Sequence, residues 1–369
     1  MKSERKITAS APGRINILGN PTDALEGAYA VISAAVELRA RIKLKKNGKM
    51  TAAPADNPLS AASLSLELKK LSGAPLLFSS LLKVLKRYFP DEANTVLSDK
   101  PDIYYATEIP PESGLAGSTA LLAALAEALR TAYSLDRRKL NDYIIAELIQ
   151  RAEEEAGIVC GYADRYACVM GGLAYMDFRG KLHHKPLRKE PLATYERLDR
   201  YVDHIPLVIC YLGIRRRSGD IHRKFRAAYM KEWAKAKAGG KSELVAIMRK
   251  VGLTAMKGKY ALLEQDWETF GKLMNLNHAL VDKAMRLAGF AEGAGHYNNM
   301  VIKYALKSGA LGAKLSGAGG GGSVLVLVEP GKETTAASKL EEYMKRAGLS
   351  SAKAYLFTLA KKGATAERL

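Results

Sequence analysis

The sequence predicts an α+β protein built from two domains. Its 369 residues, of which 48% are hydrophobic, exceed what a single core usually holds. From Val36 to Leu44 apolar residues alternate with charged ones, a period of two that predicts a half-buried strand and an early antiparallel sheet. Further along, prolines and glycines at 110–117 give way to an Ala/Leu run without a helix breaker, which predicts a loop opening into a buried helix.

The other elements follow from the same patterns. Residues Ala52–Ser65 are rich in Ala, Ser and Pro and predict a loop that could contact a base or act as a lid. Helical spacing or strand-like composition predicts further elements at Leu76–Tyr88, Asp102–Ala106, Asn141–Ala156, Leu173–Phe178, Pro206–Leu212 and Ser323–Val328. The basic, polar region Lys181–Arg200 separates the halves, so we expect domains at 1–190 and 191–369.

The charge balance favours anionic partners. There are 57 Lys+Arg against 38 Asp+Glu, a net charge of +19, which suits nucleotides, acidic sugars, nucleic acid or an anionic membrane. Nucleic acid is not the expected main partner, because the basic residues are spread along the chain and aromatics make up only 7%.

The apolar segments and the cysteines indicate the compartment. No apolar run approaches a membrane span or a signal peptide, so we expect a cytoplasmic protein with no membrane partner. The cysteines Cys160, Cys168 and Cys210 fit reduced thiols there.

The segment Pro110–Ala120 is a candidate phosphate loop. Free N–H groups at the start of a helix attract a phosphate, and glycines allow close approach. Its predicted nucleotide-binding residues are Pro111, Ser113, Gly114, Leu115, Ala116, Gly117, Ser118 and Thr119. The hydroxyl of Ser118 suits Mg²⁺ beside a triphosphate. The alternative is a turn in which Ser118 serves only as a helix cap.

Two other glycine patterns do not indicate phosphate sites. Gly317-x-Gly319-x-x-Gly322 fits the dinucleotide fingerprint by letter, but a strand follows it where a helix is required, which argues against a Rossmann domain. Gly239-Gly240-Lys241-Ser242 resembles the end of a Walker A loop, yet Lys235 stands where its first glycine belongs. We expect a surface turn there.

Three charged residues are candidates for chemistry, each with a structural alternative. Asp164 lies in an apolar, glycine-flanked segment where an unpaired carboxylate would be costly, although it could also cap a loop. Glu153 belongs to a run of three glutamates that could be a solvated helix end. Arg14 follows Pro12-Gly13 and could reach an anion or extend its charge to solvent.

Taken together, three segments resemble the GHMP kinase superfamily, which phosphorylates galactose, homoserine, mevalonate and related alcohols. SAPGRINILGNPTD resembles its first motif, PPESGLAGSTA its phosphate loop and KLSGAGGGGSVLVLV its third motif, in the family's order. The resemblance implies an N-terminal domain like domain 2 of ribosomal protein S5 and a C-terminal ferredoxin-like domain, with the site between them. Glu112 and the pair Ala116-Gly117 depart from the family's more usual glycines and serines.

The resemblance also implies roles. Asp164 matches the catalytic aspartate, which accepts or orients the hydroxyl proton, and Arg14 the basic residue that steadies transferred charge. Glu153 and Ser118 match the Mg²⁺ ligands beside ATP. The positions matched to the acceptor and the wall around it are Asn20, Asp23, Gly161, Gly317, Ala318, Gly319, Arg217 and His222.

Within the family the chain looks like the glucuronokinase-like sugar kinases. The shared features include Gly19-Asn20-Pro21-Thr22-Asp23, Ser218-Gly219-x-x-His222-x-x-x-Arg226 and Met274-Asn275-Leu276-Asn277. This implies transfer from ATP to the anomeric hydroxyl of a uronic acid such as D-glucuronate. The basic stretch Arg215–Arg226 is then either a solvated helix start or a partner for a substrate carboxylate.

Other interpretations stay open. The acceptor could be a neutral sugar, a heptose phosphate or a cyclitol, or the chain could be a non-catalytic sensor of sugar and ATP. A homodimer is equally open from the sequence.

Overall fold

The computed structural model describes residues 6–26, 29–68, 71–159, 161–181, 186–214 and 218–369. Within these ranges two sheets carry helices on their faces. The strands of the larger sheet are β1 (Lys6–Leu18), β2 (Ala30–Lys45), β3 (Thr51–Pro54), β4 (Ala62–Ser63), β5 (Asp102–Thr107), β6 (Leu173–Asp177), β7 (Thr194–Arg197) and β12 (Thr365–Arg368). Their order is β12-β1-β2-β5-β3-β4, with β6 pairing β2 and β7 pairing β6.

The two longest strands of this sheet, β1 and β2, form an antiparallel pair. Ala40, Ile42 and Leu44 of β2 are buried, while Arg41 and Lys43 between them are exposed. The predicted alternation is therefore confirmed, and it fixes which face of the sheet receives the helices.

Ten helices lie within the described ranges. They are α1 (Gly73–Tyr88), α2 (Pro90–Asp99), α3 (Gly117–Ala132), α4 (Asp142–Glu155), α5 (Ala163–Met170), α6 (Ser218–Lys237), α7 (Glu243–Leu263), α8 (Trp267–Leu287), α9 (His296–Lys307) and α10 (Glu333–Arg346). The Ala/Leu-rich α3 packs against β1 and β2. Because its side chains are apolar nearly all round, it is buried in the centre of the first core.

The smaller sheet is antiparallel throughout. Its strands are β8 (Leu207–Tyr211), β9 (Gly312–Ser316), β10 (Ser323–Leu327) and β11 (Lys353–Leu356). They lie in the order β11-β8-β10-β9, and α9 and α10 pack on one face. Numbered within the sheet, this order is 4-1-3-2, the ferredoxin-like arrangement that was expected. The two-domain α+β fold is confirmed.

One predicted loop contains more regular structure than its composition suggested. Within Ala52–Ser65 the chain forms most of β3, a short 3₁₀ turn at Pro58–Ser60, and β4. Ala52 and Ala53 are buried because β3 runs parallel to β5. The prediction of an irregular loop was wrong there. The small residues that suggested a loop instead fit the tight space beside β5 and pair as strands.

The larger sheet takes strands from both sides of the expected domain division. Strand β7 pairs with β6, and β12 returns from the C-terminal end of the chain to pair with β1. The division at 190 and 191 stays a prediction about organisation, with these two strands lying beyond it.

Two of the three cysteines lie within the described residues. Cys168 and Cys210 are buried free thiols, whereas Cys160 lies outside the described residues, as do His183 and His184. Across the described ranges, no helix combines the length and apolar composition that crossing a bilayer requires.

Candidate active site

The loop that leads into α3 leaves a helix N-terminus open. Its backbone takes positive φ values at Glu112, Gly114 and Ala116. Ala116 is the N-cap residue and its side chain makes no capping hydrogen bond, so first-turn N–H groups are available to an anion. Ser118 lies inside the helix, and its hydroxyl donates to Glu153 Oε1 at 2.8 Å. The interpretation of Ser118 as the cap was therefore wrong.

Close packing joins the phosphate loop to the other two motifs. A Cβ atom at Gly13 would lie 2.7 Å from the carbonyl oxygen of Leu115, and one at Gly114 would lie 2.8 Å from that of Ser316. The hydroxyl of Ser323 donates to the Ser113 carbonyl at 2.8 Å. Segments far apart in sequence thus meet through backbone contacts that only small residues permit.

Arg14 and Asp164 form a buried ion pair. Arg14 on β1 donates through both Nε and a terminal nitrogen to the two oxygens of Asp164, in the first turn of α5. A second terminal nitrogen of Arg14 donates to the Gly114 carbonyl at 2.5 Å, which ties the pair to the phosphate loop. Burial alone would raise the pKa of Asp164, but the charges of Arg14 and Arg165 outweigh it and lower that pKa below its ordinary value.

Glu153 stands opposite the start of α3. Its Oε1 accepts from Ser118 at 2.8 Å and from Thr119 at 3.0 Å, while Oε2 pairs with the fully buried Arg165. A hydroxyl and a carboxylate oxygen side by side at the open helix end are hard ligands of the kind that Mg²⁺ takes. Arg165 was not singled out from the sequence.

Asp23 and Gly161 lie in contact near the start of α5. The Ala163 N–H donates to Asp23 Oδ2 at 2.9 Å, and a Cβ atom at Gly161 would lie 2.0 Å from the same oxygen. Glycine at 161 therefore allows the carboxylate to reach the helix. Burial, reinforced by the charge of Asp164, raises the pKa of Asp23 to about 6.

Asn16 on β1 and Ser33 on β2, which the sequence did not single out, form a hydrogen-bonded chain that ends at Asp164. The Asn16 side-chain amide donates to Asp164 Oδ1 at 3.3 Å, and its own oxygen accepts from Ser33 at 2.5 Å. Asn16 lies within the first motif, two residues after Arg14, so strand alternation could have placed both side chains on one face.

Buried amides fix the two loops that border the site. Asn277 Oδ1 accepts from the N–H of Gly19 at 2.7 Å, at the start of the turn formed by residues 19–23. Asn298 exchanges two hydrogen bonds with the backbone of Gly321, at 2.8 and 3.0 Å, in the third motif. Asn277 belongs to the segment Met274–Asn277 that resembles the glucuronokinase-like kinases, whereas no sequence pattern pointed to Asn298.

Helix α6 brings His222 to the same place. His222 borders the cleft, and burial, opposed by the charge of Asp164 and reinforced by those of Arg14 and Arg165, lowers its pKa to about 4. Arg226, one turn further along α6, is half-buried. Arg217, with Arg215 and Arg216, lies outside the described residues.

A cleft of about 590 Å³ lies between the phosphate loop, the Arg14–Asp164 pair and α6. It is bordered by the predicted catalytic residues Arg14 and Asp164 and the predicted metal ligands Ser118 and Glu153. Also at its border are the predicted nucleotide-binding residues Pro111, Ser113, Gly114, Ala116, Gly117 and Thr119, and the predicted substrate-binding residues His222, Gly317 and Ala318. Leu115 is buried behind the loop and contributes its carbonyl to the Arg14 N–H at 3.0 Å. Asn20, Asp23, Gly161 and Gly319 lie outside the cleft lining, and a Cβ atom at Gly319 would lie 2.7 Å from the Ala294 carbonyl oxygen.

An open helix N-terminus beside an arginine–aspartate pair defines a phosphotransferase site for a nucleotide and an alcohol. Residues 77–172 match the family model for the GHMP kinases N terminal domain, and residues 259–348 match the one for GHMP kinases C terminal. The chain belongs to the GHMP kinase family. The prediction of an ATP-dependent phosphotransferase with an alcohol acceptor is confirmed.

Individual relatives agree in length with this chain. Glucuronokinase 1 of Arabidopsis thaliana is 29% identical over 344 residues, which cover 91% of this chain and 88% of that protein. The D-glycero-alpha-D-manno-heptose 7-phosphate kinase of Campylobacter jejuni is 26% identical, with coverages of 89% and 91%. A crystal structure of Lactococcus lactis galactokinase complexed with galactose has a TM-score of 0.76 at 17% identity, covering 98% of this chain and 95% of that one. This last likeness concerns the fold.

Proposed function

We propose that the protein is a sugar kinase that transfers the γ-phosphoryl group of ATP to the anomeric hydroxyl of a uronic acid such as D-glucuronate, giving the 1-phosphate. The observation that carries the proposal is the Arg14–Asp164 pair, hydrogen-bonded to the phosphate loop through Gly114. The acceptor class is supported by the glucuronokinase of Arabidopsis thaliana, whose sequence aligns along most of both chains.

The phosphate loop and α3 receive the donor. The triphosphate lies against the first-turn N–H groups from Gly117 onward, where the helix dipole favours negative charge. Ser118 and Glu153 would hold a Mg²⁺ ion, which neutralises charge on the phosphates when bound. Among the described residues no cluster of three or more His, Cys, Asp or Glu side chains surrounds a metal position.

Asp164 orients the acceptor hydroxyl. As the acceptor oxygen bonds to the γ-phosphorus, the bond from that phosphorus to the β,γ-bridging oxygen breaks, and ADP leaves with the electron pair. The hydroxyl proton passes to the Asp164 carboxylate and then to solvent. Because its pKa is lowered, Asp164 is a weak base, so it takes the proton late, after most of the transfer.

The acceptor lies on the Asp164 side, away from the phosphates. Asp23 and the backbone at Gly161 offer hydrogen-bonding groups to sugar hydroxyls, and Gly317–Gly319 form the wall of the third motif. His222, whose pKa of about 4 keeps it neutral near pH 7, offers a hydrogen bond rather than a charge.

The experiment is Mg²⁺–ATP-dependent ADP release across a panel of acceptors. The panel contains D-glucuronate and D-galacturonate, their neutral hexoses, a heptose phosphate and a cyclitol, with Asp164→Asn run in parallel. Turnover of a uronate that disappears in the variant is the expected result. Turnover confined to the heptose phosphate, which the Campylobacter jejuni relative makes the second candidate, would overturn the uronate assignment and keep the kinase.

A further inference from the structure

Lys314 is a buried ammonium group without a carboxylate partner among the described residues. It lies on β9, at the start of the third motif, and only 1% of its surface is exposed. A buried charge is costly unless other groups compensate it. Most other buried cations near the site have such a partner, as Arg14 has Asp164 and Arg165 has Glu153.

Three oxygens surround the ammonium. Lys314 Nζ donates to the carbonyls of Asn16 at 3.0 Å and Leu315 at 2.6 Å, and to Asn20 Oδ1 at 2.9 Å. Its three protons are therefore used, and it cannot itself donate to a ligand. Any effect on a ligand must pass through Asn20 or through its charge.

The contact fixes the orientation of the Asn20 amide. A lysine only donates, so the amide oxygen must face Lys314 and the amide NH₂ must face the other way. Asn20 is 2% exposed, and its Nδ2 has no acceptor among the described residues. An amide NH₂ group without a protein acceptor, on the turn at residues 19–23 (the acceptor turn) and with a positive charge directly behind it, suits an anionic oxygen.

We propose that Asn20 binds the carboxylate of the acceptor and that Lys314 is the positioning residue that orients the amide and supplies the compensating charge. The inference rests on the proposed function and deepens it, because it assigns the feature that separates a uronate from its neutral hexose. A purely structural role of Lys314, tying β9 to β1 and the acceptor turn, would instead affect all acceptors alike.

The decisive variant is Asn20→Asp. It keeps an oxygen for Lys314 and gives the lysine an ion-pair partner, so folding is preserved, but it turns an amide NH₂ into a repelling carboxylate oxygen. We expect kcat/KM for D-glucuronate to fall at least ~10-fold, with the change mainly in KM, while any D-glucose turnover changes by less than about threefold. Asn94→Asp, the same change at an exposed position of α2, is the matched control.

Lys314→Met provides the second measurement, with the exposed Lys303→Met as its control and Lys314→Arg as the conservative variant. Binding of D-glucuronate and D-glucose is measured by calorimetry without ATP, so that acceptor affinity is read apart from catalysis. We expect selective loss of glucuronate binding in Lys314→Met and partial recovery in Lys314→Arg.

The outcomes separate the two proposals. Wild-type turnover confined to neutral acceptors overturns both. Wild-type turnover of glucuronate with an unchanged glucuronate-to-glucose ratio in Asn20→Asp overturns only the carboxylate subsite. A ratio that collapses in Arg226→Gln and not in Asn20→Asp would also overturn it and move the carboxylate to α6.

Discussion

Arg14 and Asp164, 150 positions apart in the chain, meet in a two-point ion pair between β1 and α5. The pair does more than neutralise two buried charges, because Arg14 also donates to the Gly114 carbonyl of the phosphate loop. The residue proposed to orient the acceptor and the loop proposed to bind the donor are thus fixed by one guanidinium. Such positioning is what a loose phosphoryl-transfer transition state requires of a protein.

Asp164→Asn should therefore reduce kcat and leave donor binding intact. We expect kcat to fall by about 10²- to 10⁴-fold, since the amide cannot take the acceptor proton. The dissociation constant of ATP, measured by calorimetry, should stay within about twofold because the phosphate loop is unchanged. A loss of kcat smaller than about tenfold would show that positioning alone suffices.

The raised pKa of Asp23 lowers the stability of the folded protein at neutral pH. Burial and the charge of Asp164 raise its pKa to about 6, so between its ordinary pKa and that value the folded state holds a proton that the unfolded state has released. Stability therefore falls as pH rises towards 6, and the deficit is complete above that pH.

The variant Asp23→Asn removes this deficit and can still accept from the Ala163 N–H. We expect its free energy of unfolding to exceed that of the wild type by roughly 1 to 3 kcal/mol near pH 7.5, and by less near pH 4.5. Urea denaturation at the two pH values measures this. Acceptor turnover should drop at the same time, a trade of function for stability. Equal stability of the two proteins at both pH values would contradict the account.

Phosphate loop, first motif and third motif could be predicted from sequence because each is a local pattern. Glycine followed by a hydroxyl and an Ala/Leu run indicates a helix N-terminus wherever it occurs, as at Gly117–Ala132. The loop and the helix after it needed no tertiary information, whereas the sequence left open whether Ser118 caps the helix or lies inside it.

Contacts between distant segments could not be predicted in this way. Lys314 donates hydrogen bonds to Asn20 and Asn16, which lie 294 and 298 positions earlier in the chain. In the sequence of β9 it looks like an ordinary polar residue of a strand. Arg165 beside Asp164 likewise gave no sign that it would be buried against Glu153. Only the folded chain shows which cations are paired.

Glu112 places a carboxylate and a left-handed backbone, φ 53°, in the phosphate loop, at a position where the family resemblance anticipates glycine. Glu112→Gln removes the charge but keeps a side chain in the left-handed conformation. Glu112→Gly removes the charge and also the conformational strain, because glycine adopts positive φ readily. We expect both to lower KM for ATP by about fivefold, since an exposed like charge near the phosphates costs about 1 kcal/mol. Only the glycine variant should also gain thermal stability, read by melting temperature. Weaker ATP binding in both variants would instead assign Glu112 a contact to the donor.

The charge of Lys314 makes acceptor affinity depend on pH. Burial, with the nearby charge of Arg14, lowers the pKa of Lys314 to about 7. Among the described residues, Arg14 on β1 and His278 on α8 are ionisable groups that interact with its charge. Below that pH the ammonium is protonated and supports a bound carboxylate. Above it the charge is lost, and one of the three surrounding oxygens loses its donor.

The dissociation constant of D-glucuronate should therefore rise with pH above about 7, with a slope of log Kd against pH that approaches but does not exceed one. The sugar carboxylate stays ionised throughout, so the slope belongs to the protein. Calorimetry across this range on the wild type and on Lys314→Met measures it, and the variant should bind weakly with no such slope. A slope that persists in Lys314→Met would assign the titration to another group and remove this support for the carboxylate subsite.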